Sequence, residues 1–319
     1  MSEYLRLTHN LLISLGGVPS PETFLIPDSA VFSQTVSPAM LKQKTGEKKF
    51  EPASFVFFQG SLARAFILGH IPQDNGPALP VLYAIIASGV LSRHNGELRP
   101  YFPPSVREIV IVPDGIKGSK EIIASHVESG LEVELYKTDS SYLGIQKNAS
   151  DRIVSLFSDI KEQVFLTFSE NVEGDEYFIL VDGSLKPTEK VLKHSNWVGI
   201  FTNPPLSQQE ERVSLSLGEN EIGPPFTLEN SGSGFFWHLR MNSDLRKGPG
   251  WGLVRVENVL ANKQDMETKI SALSAGILAE KYPLHPLSEK ENGRLYPLIT
   301  ARVFLKTQTT DDTSIMRYF

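Results

Sequence analysis

Phe178-Ile179-Leu180-Val181-Asp182-Gly183-Ser184-Leu185 is the stretch on which the reading of this sequence turns. Four consecutive apolar residues make a strand covered on both faces. The strand ends in a carboxylate, a glycine and a serine. A carboxylate at the end of a buried strand is costly unless it is paired or bound to a metal. The glycine lets the chain turn sharply and a ligand approach the backbone. A plain strand-to-turn corner is the alternative, because Asp-Gly is common in turns. The same form occurs upstream, where Phe55-Val56-Phe57-Phe58-Gln59-Gly60-Ser61-Leu62 also runs from a buried strand through a polar residue to Gly, Ser and Leu.

Other elements follow from local pattern. Ile109 to Val112 is a third buried strand. Ser119 caps a helix over 120–129, which Gly130 ends. Leu131, Val133 and Leu135 alternate with Glu132, Glu134 and Tyr136 as a half-exposed strand, which completes a β-α-β unit. Apolar residues at Ile153, Phe157, Ile160, Val164 and Phe168 mark one face of a helix over 150–168. Leu79 to Leu91 is aliphatic enough for either a buried strand or a buried helix. Trp197–Phe201, Phe235–Met241 and Leu253–Glu257 read as strands, and so does the alternation of Val213, Leu215 and Leu217 with Ser214 and Ser216. Helices over 265–281 and 296–306 close the pattern, the second with Pro297 in its first turn. Residues 17–54 are rich in Pro, Ser, Thr and Lys and read as an irregular arm. The polar tail from Thr307 reads as frayed. The mixture predicts one α/β domain whose sheet contains antiparallel strands.

Composition removes several classes of chemistry. The chain has 319 residues and no cysteine, which excludes disulfides, a cysteine nucleophile and iron–sulfur clusters. The formal net charge is −6, so nucleic acid would need a local positive patch. Lys42, Lys44, Lys48 and Lys49 form one candidate, Lys186, Lys190 and Lys193 a second, and Arg240, Arg246 and Lys247 a third. Solvated surface charge is the alternative for each. No Walker A sequence, no strand followed by Gly-x-Gly-x-x-Gly and no Gly-x-Ser-x-Gly occurs. The seven histidines show no close metal-ligand spacing. The amino terminus does not read as a signal peptide. The longest apolar run falls short of the ~20 residues of a membrane span, and the expected location is cytoplasmic.

The order of motifs resembles the NurA nucleases. It runs from strand-x-Gly-Ser through a long helix and strand-Asp-Gly-Ser-Leu to Val198-Gly199-Ile200. Phe235-Phe236-Trp237-His238-Leu239-Arg240, Val254-Arg255-Val256-Glu257 and Tyr296-Pro297-Leu298-Ile299-Thr300-Ala301 come after it. The resemblance covers residues 55–306, leaving 1–54 as an arm and 307–319 as a tail. It implies an RNase H-like mixed sheet flanked by helices, a homodimer, and a HerA-type hexameric ATPase that feeds DNA to a nuclease in repair or phage defence. It also implies Mn²⁺ or Mg²⁺ held by clustered carboxylates, which activate water and stabilise the leaving oxygen.

Mapped residue by residue, the resemblance puts Asp182 on an intact metal ligand and Gln59 where the family carries an aspartate. Asp159 and Glu162 are the nearest acids on the preceding helix, with Ser155 as the other alignment. Glu257 is a further candidate ligand, or else a partner for Arg255. Thr202 and Asn203 stand where a basic residue is usual, and Arg302 follows Ala301 in the terminal motif. Lys186, Lys190, Lys193 and Arg240 are the candidate DNA contacts. A neutral amide offers a hard cation one oxygen and no charge. Either a nuclease using other acids or a non-catalytic RNase H-like subunit is therefore expected, with an unrelated small-molecule-binding α/β protein as the third reading. Carboxylates clustered around Asp182 favour the first, an isolated Asp182 beside Gln59 and Arg302 the second, and a different strand order the third; strands 55–58 and 178–181 are expected in one sheet with Gln59 and Asp182 near each other at one end.

Overall fold

A computed structural model describes residues 3–26, 36–37, 54–116, 118–172, 177–185, 196–202, 204, 206–228, 234–242, 248, 250–259, 266–281 and 295–319. In chain order the elements are α1 (Glu3–Ser14), β1 (Val18–Phe24), β2 (Val36–Ser37), β3 (Phe55–Ile71), β4 (Leu79–His94), β5 (Glu97–Pro100), β6 (Ser105–Pro113), α2 (Ser119–Glu128), β7 (Val133–Tyr136) and α3 (Tyr142–Asn171). They continue with β8 (Phe178–Asp182), β9 (Trp197–Thr202), α4 (Gln208–Ser214), β10 (Phe226–Leu228), β11 (Gly234–Arg240), β12 (Leu253–Val259), α5 (Met266–Ala279), α6 (Tyr296–Thr307) and α7 (Asp312–Tyr318).

Twelve strands form one mixed sheet in the order β2-β10-β11-β12-β9-β8-β3-β4-β6-β7, with β1 added to β3 and β5 to β4. The pairs β3–β4, β4–β6, β9–β12 and β11–β12 are antiparallel, whereas β3–β8, β8–β9 and β6–β7 are parallel. This is an α/β fold with a large mixed sheet flanked by helices, as expected. Beside β8, β3 is parallel and pairs Phe58 with Leu180 and Gln59 with Val181. The two near-identical motifs therefore lie side by side.

The sheet is covered on both faces. Ser141 caps α3 by accepting from the Gly144 N–H at 3.1 Å. The buried stripe of α3 runs through Ile145, Ala149, Ile153, Leu156, Ile160, Val164 and Phe168 at spacings of three and four. Its C-terminal part packs with Phe57, Val90, Ile179, Val181 and Trp197. On the opposite face, α5 and the start of α6 pack over Phe58, Leu180, Val198, Ile200, Val254 and Val256. The largest core joins β3, β4 and β6 to α1 and α3.

Several local expectations change. Leu79–Leu91 is strand, and its side chains are buried throughout. At Gln59-Gly60-Ser61, β3 does not stop but continues to Ile71. The alternation at 213–217 belongs to the end of α4 and a turn, not a strand; a Ser207–Glu210 capping box starts that helix. In β7 it is Tyr136 that is buried and Leu135 that is half exposed, because the Tyr136 hydroxyl reaches the Pro80 carbonyl at 2.8 Å.

The chain ends are also more ordered than composition suggests. Leu5, Leu11 and Leu12 of α1 enter the main core, and β1 pairs with β3; of the expected arm, residues 27–35 and 38–53 lie outside the described residues. The tail is not frayed. Ile315 of α7 is fully buried, Arg64 pairs with Asp312, and Thr310 donates to Glu108 at 2.6 Å. Among the described residues, no helix is long and apolar enough to cross a membrane.

Candidate functional site

Gln59 and Asp182 sit at the same end of adjacent parallel strands, but their side chains leave the sheet on opposite faces. Paired residues on neighbouring strands share a face, and successive residues alternate. Gln59, Val181, Gly199 and Glu257 form one row across β3, β8, β9 and β12. That row faces α3, as the packing of Val181 and the contact of Gln59 with Lys161 require. Asp182 is one residue further on and points with Leu180 and Ile200 toward α6.

On the α3 face, Gln59 is buried and its amide nitrogen donates to Ser88 Oγ and to the Lys161 carbonyl, both at 3.2 Å. Ser88 passes the network on to the Gly60 carbonyl at 3.2 Å. An aspartate here could make neither donation, so the amide suits a structural role. In the same row, Glu257 is also buried. Its Oε2 accepts from Ser184 Oγ at 2.7 Å and from the Leu185 N–H at 2.8 Å. Arg255 Nε stands 2.9 Å from the other oxygen, as an ion pair rather than an aligned hydrogen bond. The Arg255 guanidinium lies 3.8 Å over the Phe236 ring. One carboxylate thus holds the turn after β8 onto β12.

On the α6 face, Asp182 is met by Arg302. Arg302 Nη2 donates to Oδ1 at 2.8 Å and Nε to Oδ2 at 2.5 Å, a bidentate fork on a carboxylate whose side chain is 11% exposed. The seat of α6 makes this possible. Gly60 and Gly89 are cross-strand partners in β3 and β4. A Cβ on Gly60 would stand 2.5 Å from the Ala301 Cβ, and one on Gly89 would stand 3.3 Å from Leu305. The missing side chain of Gly60 therefore lets α6 rest on the backbone of β3, the strand beside Asp182, while Gly89 on β4 makes room for both Pro104 and Leu305. From α3, Lys161 Nζ donates to the Asp182 main-chain oxygen at 2.8 Å. It sits against Gly183, whose φ of +95° is a left-handed conformation that favours glycine.

Of the expected ligand set, the structure therefore brings Asp182 and Arg302 together and leaves Gln59 and Glu257 on the other side of the sheet. Glu162 lies half-buried on α3. Among the described residues, no group of three or more His, Asp and Glu is placed to hold a metal ion. Among the described residues, Asp182, Gln59 and Glu257 do not form a ligand set for the expected Mn²⁺ or Mg²⁺. Both carboxylate oxygens of Asp182 are turned to a guanidinium, the Glu257 oxygens serve a hydroxyl, an amide and Arg255, and Gln59 presents its amide nitrogen to two oxygens.

The proposed DNA contacts divide as well. Lys186, Lys190 and Lys193 lie outside the described residues. Arg240, expected as a DNA-binding cation, is 3% exposed and donates to the carbonyls of Ser214, Leu215, Leu217 and Trp251. Its place on the buried strand β11 makes it a clamp for the α4 turn.

One polar cluster escaped the sequence reading. His238 is fully buried on β11, with Nδ1 2.8 Å from Ser214 Oγ and Nε2 3.9 Å from Glu210 Oε1. Burial first, and the nearby Arg255 second, push its pKa down to about 3. The imidazole is neutral and sealed from solvent, which suits packing and not catalysis. Only the adjacent polar letters of α4 and β11 could have signalled it, and 24 residues separate Ser214 from His238. No protein-family model matches the chain, and no curated protein matches it.

Proposed function

We propose that the protein is a non-catalytic NurA-like subunit of the cytoplasm. In this reading it is a homodimeric RNase H-like scaffold that docks on a HerA-type hexameric ATPase and helps it act on DNA, in end processing or phage defence. The observation that carries this is the bidentate closure of Asp182 by Arg302. At the strand end where a nuclease of this kind would present an anionic ligand to a metal, the carboxylate is already neutralised by the protein's own cation. The direction of Gln59 adds support. Its side chain faces away from Asp182, so the two positions do not converge on one ion.

Cleavage assays test this. Purified wild type with Mn²⁺ or Mg²⁺ is expected to leave linear single- and double-stranded DNA intact, and Asp182→Asn is expected to behave the same. Robust wild-type cleavage that falls about a hundredfold or more in Asp182→Asn would restore the nuclease reading, since site electrostatics of this kind contribute a few kcal/mol. Size-exclusion chromatography with a HerA-type ATPase tests the docking half: a shared peak is expected, and separate elution counts against it.

A further inference from the structure

We infer that the groove between β1 and the first turns of α3 is a docking site for an extended peptide segment that carries apolar side chains on either side of a lysine or arginine. The groove shares no residue with the Asp182–Arg302 site, and the inference does not rest on the function proposed above.

One helix face and one strand end build the groove. Tyr142, Gln146 and Ser150 recur every four residues, and Leu143, Lys147 and Asp151 do the same one position on, so these side chains share one side of α3. Across from them, Glu22 pairs with Ile67 and Phe24 with Ala65 between β1 and β3, which puts Glu22, Phe24 and Ile67 on one face of the sheet. The space they enclose is about 490 Å³, within the roughly 300–1,000 Å³ of ligand sites. Phe24 and Ile67 are buried and give it an apolar floor. Leu25 and Leu143 stand at its rim, 85% and 77% exposed, and are the two most exposed large apolar side chains among the described residues. Two such leucines at one opening form a patch, not a scatter of single exposed residues, and patches mark contact surfaces.

Charge and backbone define the occupant. Glu22, Lys147 and Asp151 are exposed, and none of them forms an ion pair or a hydrogen bond among the described residues. Two carboxylates against one ammonium leave the opening negative, so it favours a positive side chain beside the apolar ones. Among the described residues β1 pairs only with β3. Alternate N–H and C=O groups on its other edge are therefore free to pair. Pro19 and Pro21 have no N–H to offer, so the usable edge begins at Glu22, beside the groove. A free strand edge next to a side-chain pocket is how a sheet takes up an extended peptide. An apolar–basic–apolar order at alternate positions turns all three side chains to the groove.

Fluorescence polarisation on the full chain tests this, with labelled and terminally blocked heptapeptides Thr-X-Thr-Lys-Thr-X-Thr in which X is Leu, Ile, Val or Phe. Saturable binding is expected for at least one of them, and it is expected to be several-fold weaker when Glu replaces Lys or Ser replaces X. Leu25→Asp and Leu143→Asp are each expected to weaken binding about tenfold or more, as the loss of one buried leucine contact would. Both positions are exposed, and unchanged thermal unfolding of the variants checks that they fold. Glu22→Lys/Asp151→Lys is expected to reverse the preference, so that the Glu peptide binds better than the Lys peptide. N-methylation of alternate peptide nitrogens is expected to abolish binding in the phase that faces β1. Failure of all four peptides would overturn the inference. So would binding that both aspartate variants leave unchanged, equal binding of Lys and Glu peptides by wild type, or indifference to N-methylation in both phases. A wild-type dimer that Leu143→Asp turns into a monomer would assign the groove to a second copy and overturn it as well. None of the peptide readouts involves DNA or the ATPase, so their failure is distinct from failure of the proposed function.

Discussion

β4 and β12 are both buried strands, yet they are dehydrated by different means. From Val81 to Ala87, β4 is inaccessible to solvent and contains only aliphatic residues and Tyr83. β12 is buried from Leu253 to Val259 but carries Arg255, Glu257 and Asn258 within those seven residues. Its neighbour β11 adds His238 and Arg240. In the β4 half, apolar surface leaves water and contacts are interchangeable within limits of volume. In the β12 half every polar atom needs a named partner, because a buried charge without one is expensive. The first half is stabilised by quantity of contact, the second by its particular pairings.

Substitutions that keep shape but change charge separate the two. The largest effect is expected at Glu257. Glu257→Gln retains the outline of the side chain but leaves Arg255 buried without its counter-charge, and a loss of about 3–5 kcal/mol in denaturant unfolding is expected. A loss below about 1 kcal/mol would mean that the β12 half is held by packing after all.

The next effect is a pH dependence. His238 is neutral in the folded protein down to about pH 3, whereas in the unfolded chain it takes a proton near its ordinary value of 6.5. Above that value the group contributes no difference. As pH falls below it the unfolded state binds the proton and the folded state does not, so stability falls by about 1.4 kcal/mol per pH unit. Between pH 7 and pH 5 the loss is about 2 kcal/mol, and His238→Gln is expected to remove that part of the slope. Parallel wild-type and variant curves over that range would contradict the assignment.

The smallest effect is expected in the aliphatic half. Leu82→Met keeps volume at a fully buried site in β4 and is expected to cost under about 1.5 kcal/mol. A cost equal to that of Glu257→Gln would erase the contrast.

The same contrast explains what could be read from the sequence. Phe55–Phe58, Ile109–Val112 and Phe178–Val181 announce themselves because strands buried on both faces need unbroken apolar runs. The helix over 296–307 carried Pro297 in its first turn and the one over 119–128 carried Gly130 after its end, but Ser119 does not cap the latter: it is the first helical residue, and the N-cap is Gly118 in a left-handed conformation with no side-chain hydrogen bond. The rest of β3 stayed hidden because Gly60, Ser61 and Arg64 look like loop chemistry. Only the fold reveals that the glycine lies under α6 and that the arginine serves the C-terminal segment. At the candidate site, the adjacency of Gln59 and Asp182 was legible from their matching motifs. Their opposite directions were not, because the face a strand residue takes depends on the register between neighbours, and the bulge between Phe55 and Phe57 shifts that register.

The two glycines beneath α6 carry a consequence for inheritance. Positions 60 and 89 hold no charge, yet their size sets how near the helix comes and so whether Arg302 can span to Asp182. A lineage that acquires a methyl group at position 60 must shrink position 301 to glycine, or lift the helix and lose the fork. Position 60 therefore acts on position 182 at one remove: anything that lifts α6 draws the arginine away from the carboxylate, whereas losing the arginine leaves the close approach of Ala301 to Gly60 as it was.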